Sequence, residues 1–266
     1  MGLTTIYASI GSLGYLIGAI SLFSRLFHPK GPNILLSLSL GSIAIVMHTL
    51  LLSEQMFAQP AVNFNLANVI SLVALLISLI TTGLALKYKV NLLLPVVYGF
   101  SGIWLTIEAL THPSALIPLA ADKMLIITHI TIALISYAIL VIATLYSYQV
   151  NYINSKLKTK NISDMKYLPP LMQVERQLFF ILSLGTLCLL ISEITGFIFL
   201  ENMFSKENAH KSVLSIVALI VYLITIRGHW SRGWRGQKVM VLLSVATLLL
   251  TLSYFGSRFV KEFLLS

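Results

Sequence analysis

Eight continuous apolar runs divide the chain, separated by short polar stretches. They cover Thr4–Phe23, Ile34–Leu52, Leu66–Leu86, Leu92–Leu110, Met124–Tyr148, Gln177–Leu200, Ser212–Ile226 and Val239–Ser257. About 20 consecutive apolar residues cross a bilayer as a helix. A membrane β-barrel would instead alternate apolar and polar residues in stretches of about ten. Unbroken Leu and Ile runs therefore predict an all-α, polytopic transmembrane helix bundle of eight spans, forming one integral membrane domain over residues 1–266. The seventh run is short, so that helix either thins the bilayer or extends through Arg227.

The polar stretches set the expected orientation. Arg25, Lys30, Lys87, Lys89, Lys156, Lys158, Lys160, Lys166, Arg176, Arg227, Arg232, Arg235 and Lys238 fall in the odd-numbered connections, which is 13 of the 18 basic residues. Lys123, Lys206, Lys211, Arg258 and Lys261 are left for the other side. Basic residues concentrate on cytoplasmic loops, so both termini are expected on the periplasmic side of a bacterial inner membrane. The longest polar segment, Asn151–Arg176, reads as a cytoplasmic surface linker containing Pro169-Pro170. Turns are expected at Pro60, Pro113 and Pro118 in the outer connections and at Gly31-Pro32, Gly233 and Gly236. The turn Arg227–Lys238 is rich in Arg, Trp and Gly. Its Trp230, Arg232, Trp234 and Arg235 are expected to anchor the protein at the membrane interface.

Composition narrows the function classes. The chain is 57% hydrophobic and 10% charged, far below the roughly one-quarter charge of soluble domains. The net charge of +9 is then loop charge facing anionic lipid, and no nucleic-acid partner is expected. The single cysteine, Cys188, lies in an apolar run and reads as packing. Thr4–Phe23 has no basic segment before it and does not read as a cleavable signal peptide. HExxH, GxSxG and Gly-rich phosphate loops are absent, so hydrolytic and nucleotide chemistry lack support. The protein is not expected to be an enzyme.

The candidate chemistry is polar residues inside apolar runs, which are expensive there and face a bundle interior or cavity. These are His48, Glu108, His129 and Glu193, with His210 opening the seventh run and Lys211 beside it. In the expected orientation all lie in the outer half. Ser37, Gly41, Ala44 and His48 share one helix face, as do His129, Ala133, Ser136 and Ser147; Ser101, Trp104 and Glu108 line another. The plain reading of each histidine is a hydrogen bond between helices, worth about 0.6 kcal/mol. An imidazole cluster at this depth also suits haem ligation, a divalent metal held with carboxylates, or a proton relay.

Two motifs carry a resemblance to a known family. One is His129-Ile-Thr-Ile-Ala-Leu-Ile-Ser-Tyr137; the other is Arg232-Gly-Trp-Arg-Gly236, followed by an apolar span ending Tyr254-Phe-Gly256. From about residue 124 to 266 the chain resembles the cytochrome c assembly protein family, the CcsA/CcmC group of haem-handling membrane proteins. His210-Lys-Ser-Val-Leu-Ser215, Gly228–Gly236 and Leu252-Ser-Tyr-Phe-Gly-Ser-Arg258 are similar to the YpjD-like branch of bacterial inner-membrane proteins. The resemblance implies a haem-binding membrane protein tied to cytochrome c maturation, with haem as cofactor and cytochrome c maturation proteins as partners. His129 matches the family's external haem-ligand histidine. The family's tryptophan-rich loop falls on Glu201–His210, which has no tryptophan. Its later histidines fall on Ile224–Ile226 and on the tail Val260–Ser266, which have none. One expected ligand of three is present, and His210 and His48 are the candidate second ligands. A non-enzymatic membrane scaffold or regulatory partner that has lost haem transfer is the second reading. Transport of a small cation or proton is the third.

Overall fold

The computed structural model describes residues 2–26, 31–57, 62–90, 92–110, 118–119, 124–158, 169–199, 209–256 and 259. Lys30, Pro60, Pro113, Lys123, Lys160, Lys166, Lys206, Arg258 and Lys261 lie outside them, as does most of the loop from Glu201. Eight helices are described: α1 (Leu3–Ser24), α2 (Ile34–Phe57), α3 (Leu66–Ala85), α4 (Leu93–Leu110), α5 (Met124–Lys158), α6 (Leu171–Phe199), α7 (Ala209–Arg232) and α8 (Gln237–Thr251). A π-helical turn, Leu252–Gly256, continues α8. Each is long and apolar enough to cross a membrane, α8 when taken together with that turn.

Four helices run well past their apolar runs, and α2 is one of them, continuing from Leu52 through Glu54 to Phe57. α5 continues through Asn151 to Lys158 and α6 begins at Leu171, so most of the expected linker Asn151–Arg176 is helix. Val150 and Ile153 keep the buried face of α5 at helical spacing while the polar residues turn outward. A drop in hydropathy hid an intact period. Pro170 begins α6: its carbonyl accepts from Gln173 and Val174. A proline suits a helix start because the first turn needs no amide donor there. α7 extends past Arg227 to Arg232, which settles the length of the seventh span. It stops at Gly233, whose φ of 65° and amide bond to the His229 carbonyl (3.0 Å) make the left-handed cap that glycine tolerates best. Pro118 falls in a two-residue strand, β2 (Pro118–Leu119), paired antiparallel with β1 (Val62–Asn63).

The helices fall into two compact units, α1–α4 and α5–α8. In the first, α1 lies against α2 and α4 through small residues. A methyl on Gly14 would touch Ala44, and one on Gly11 would touch Leu105. Ser37 Oγ donates to the Gly18 carbonyl at 2.8 Å and Ser12 Oγ to the Gly102 carbonyl at 3.0 Å. Small residues allow backbones to approach closely where no hydrophobic force distinguishes helix from lipid. In the second unit, α5 packs on α6 around Gly185, whose carbonyl accepts from Ser136 Oγ at 3.0 Å. α5 meets α8 through the hydroxyl pairs Tyr137–Thr251 (2.8 Å), Thr144–Thr247 (2.6 Å) and Tyr148–Ser244 (2.8 Å).

Candidate functional site

The second unit has two chemically distinct ends. Seven of its eight described lysines and arginines, Lys156, Lys158, Arg176, Arg227, Arg232, Arg235 and Lys238, lie at the end where α5 and α7 finish and α6 and α8 begin. The opposite end holds His129 near the start of α5, Glu193 near the end of α6, and His210 with Lys211 at the start of α7.

His129 is held by the last turns of α6. Its Nδ1 lies 3.0 Å from the Ser192 carbonyl and 3.2 Å from Thr195 Oγ1. A carbonyl can only accept, so Nδ1 carries the hydrogen and Nε2 keeps its lone pair. Nε2 has no hydrogen-bond partner among the described residues. The Thr195 hydroxyl also donates to the Ser192 carbonyl (2.9 Å), fixing the acceptor. The ring rests on Gly196, where a methyl carbon would stand 2.8 Å from Cε1. Beside this seat, Glu193 faces Ser215 of α7, and Tyr254 borders both Ser192 and Glu193. Tyr254 and Phe255 flank the Tyr137 ring at 5.8 and 5.3 Å. Ser253 Oγ ties this turn to the Lys211 carbonyl at 2.7 Å. His210 is exposed.

Gly196→Ala should keep the helix but lift the imidazole off its seat. Misplacing a ligand's supporting contacts costs about 10- to 100-fold in affinity. On the reading of His129 as a haem ligand, hemin titration of this variant is expected to show a weakening of that order, with circular dichroism unchanged. Unchanged affinity would remove Gly196 from the site.

His48 and Glu108 meet in the first unit, and His129 belongs to the second. His48 is fully buried, with Nε2 2.9 Å from Ser71 Oγ and Nδ1 3.5 Å from Tyr15 Oη. Ser71 Oγ lies 3.1 Å from Glu108 Oε2. Both imidazole nitrogens of His48 are engaged within the unit. Trp104 Nε1 and Glu108 Oε1, one turn apart on α4, are buried with no partner among the described residues.

The basic end of the second unit contains a cluster that sequence reasoning missed. Arg235 Nε pairs with Glu175 Oε1 at 3.0 Å, and Glu175 is buried on α6. His229 stacks on Phe179 with centroids 3.5 Å apart, and its Nδ1 donates to the Trp234 carbonyl at 3.0 Å. Trp234 lies against Gly228, and Lys238 Nζ stands 3.5 Å over its ring. Trp230 is 80% exposed and Arg232 ends α7 exposed. Of the expected interface anchors, Trp230 and Arg232 point outward, while Trp234 and Arg235 tie the turn to α6 and α7. Glu175 was overlooked because it was counted within a linker. Arg235→Ala should cost more stability than Glu175→Gln, because only the first leaves a buried carboxylate with no partner nearer than the His229 ring, 4.0 Å away. Thermal unfolding in detergent should give that order, with the Gln change costing about 1 kcal/mol or less; the reverse order would mean that the pair is not coupled.

These features define a multi-pass helical membrane protein in which the His129 tautomer leaves Nε2 without a hydrogen-bond partner among the described residues; His229 has the same tautomer, but its ring is stacked on Phe179 at the basic end. The chain belongs to the cytochrome c assembly protein family, which it matches over residues 36–265. That match begins well before residue 124 and takes in α2 to α4. The chain is 34% identical to the inner membrane protein YpjD of Escherichia coli strain K12 over 259 residues, 97% of this chain and 98% of that protein. It is also 30% identical over 156 residues to an uncharacterized 28.8 kDa protein of Azospirillum brasilense, covering 58% of each. No solved structure matches it.

Proposed function

We propose that this protein is a non-enzymatic, haem-binding membrane protein of cytochrome c maturation, with His129 Nε2 as an axial ligand. The observation that carries this reading is the fixed tautomer: Nδ1–H is held on the Ser192 carbonyl and Nε2 faces no described partner. Ligating histidines characteristically donate their other ring hydrogen to a carbonyl or carboxylate, which orients the ring and raises its basicity. Bound haem would supply an iron centre whose properties depend on its axial ligands and surrounding dielectric. This chain's residues would then do the holding. Ser192 and Thr195 fix the ligand's tautomer, Gly196 makes room for its ring, and exposed His210 is the candidate second ligand at the same end. His48, fully buried with both nitrogens engaged by Ser71 and Tyr15, is not available to an iron centre. Glu193, Glu108, Lys211 and Trp104 support the two polar clusters.

The basic end, set against the His129 end, supports a cytoplasmic Arg235 and a periplasmic His129. With this orientation both termini are periplasmic, in a bacterial inner membrane. Partners would be the lipid bilayer and, through haem, cytochrome c maturation proteins. The test is an absorption spectrum of detergent-purified protein as isolated and after hemin addition. A shifted Soret band is expected. No shift would replace this reading with that of a scaffold or regulatory subunit without haem, as the absence of tryptophan in Glu201–His210 would then suggest.

A further inference from the structure

The first unit holds a second polar site that haem ligation does not use. We propose that Glu108, Ser71 and His48 form a proton-holding site in which one proton is shared between carboxyl and imidazole through the serine hydroxyl. Three helices supply it: α2 gives His48, α3 gives Ser71 and α4 gives Glu108. His48 and Ser71 are fully buried, and the two hydrogen-bond distances are 2.9 and 3.1 Å.

The same two bonds work in either direction. In one state His48 Nε2–H donates to Ser71 Oγ, and the Ser71 hydroxyl donates to a Glu108 carboxylate. In the other, the Glu108 carboxyl donates to Ser71 Oγ, and Ser71 donates to the Nε2 lone pair of neutral His48. Passage between them breaks the Glu108 O–H bond and the Ser71 O–H bond. It forms a new Ser71 O–H bond and the Nε2–H bond, and no other atom is needed. In both states Nδ1 carries its own hydrogen toward Tyr15 Oη, 3.5 Å away. The site is electrically neutral in both.

Two observations favour a retained proton. Along α1–α4 the described basic residues, Arg25, Lys87 and Lys89, all lie at the opposite end of the unit. A lone carboxylate on Glu108 would therefore be an uncompensated charge at membrane depth. Glu108 Oε1 is also buried, with the Trp104 indole N–H as its neighbour but no well-formed hydrogen bond to it, a position that a neutral carbonyl oxygen tolerates better than a carboxylate oxygen. The titratable groups around the site are Tyr15 from α1 and, beyond it, Tyr98 from α4 with rings 5.4 Å apart. Glu54 lies further along α2. α3 contributes only hydroxyls, with Ser78 facing Tyr15 and bonded to Ser101 at 2.8 Å. Glu108 is only partly buried whereas His48 is wholly so, which makes Glu108 the entry for the proton.

Infrared difference spectra against pH, recorded on hemin-free protein in detergent, test this directly. The wild-type protein should show a deuterium-sensitive carboxyl band that disappears in Glu108→Gln, with histidine and carboxyl bands changing in one step. Ser71→Ala should split that step in two, and Ser71→Thr, which keeps the hydroxyl, should preserve a single step. A carboxyl band that persists in Glu108→Gln would overturn the proposal. So would a single step in Ser71→Ala, or independent titration of the two groups in the wild-type protein. None of these readouts depends on whether hemin binds at His129.

Discussion

Hemin added to the His129→Ala protein is expected to give no Soret shift, while the wild-type and His48→Ala proteins both give one. The expectation follows from how the two imidazoles are held. Nδ1–H of His129 is held by the Ser192 carbonyl at 3.0 Å, and Nε2 has no hydrogen-bond partner among the described residues. His48 spends both nitrogens on Ser71 and Tyr15, and its ring is fully buried. On the proposed reading, removing His129 takes away the iron ligand while leaving the half-buried seat of its ring on Gly196. Removing His48 takes away packing and no ligand. Free imidazole supplied to His129→Gly should restore the shift, which separates loss of a ligand from loss of the fold. A Soret shift of wild-type size in His129→Ala would end the ligand assignment. If it vanished in His48→Ala while His129→Ala kept it, the ligand would belong to the first unit.

Gly41→Ala should be among the most damaging single changes in the first unit. A methyl there would overlap the hydroxyl and ring edge of Tyr98. Tyr98 cannot easily yield. It is fully buried, its hydroxyl is 2.7 Å from Thr82 Oγ1, and its ring packs on Tyr15 at 5.4 Å. Overpacking of this kind costs about 1–3 kcal/mol. The helix-propensity gain of alanine over glycine is about 1 kcal/mol or less, so overpacking wins. Gly83→Ala is the matched control: nothing lies within 4 Å of the added carbon, and that variant should gain the propensity term. Thermal unfolding of the two variants in detergent should shift in opposite directions. A melting temperature for Gly41→Ala equal to or above wild type would show that Tyr98 has room the packing does not reveal.

The expected fold was legible because hydropathy over about 20 residues is an additive property of neighbours in the chain. The runs starting at Thr4, Leu66 and Leu92 match α1, α3 and α4 closely, whereas α2 continues past Leu52 to Phe57. The errors fall at Asn151, Leu171 and Ile226, where helices continue beyond the apolar core into polar surroundings. There the 3.6-residue spacing of Val150, Ile153, Val174 and Leu178 carried the information that average hydropathy discarded. Polar candidates were legible by the same logic, since His48, Glu108, His129 and Glu193 stand out against apolar neighbours. Glu175 and His229 did not stand out, because they lie among other polar residues.

Sequence alone determined the eight spans, the charge asymmetry of their connections and the family motifs around His129 and Arg232. All depend on residue type and near-neighbour spacing. Only the tertiary structure decided how the polar residues are shared out. It put His48 with Glu108 through Ser71, whose hydroxyl is unremarkable in the sequence, and His129 with the Ser192 carbonyl, a backbone group that every residue possesses. These three hydrogen bonds between helices join residues 23 to 63 positions apart, and no local pattern specifies which pairs will meet.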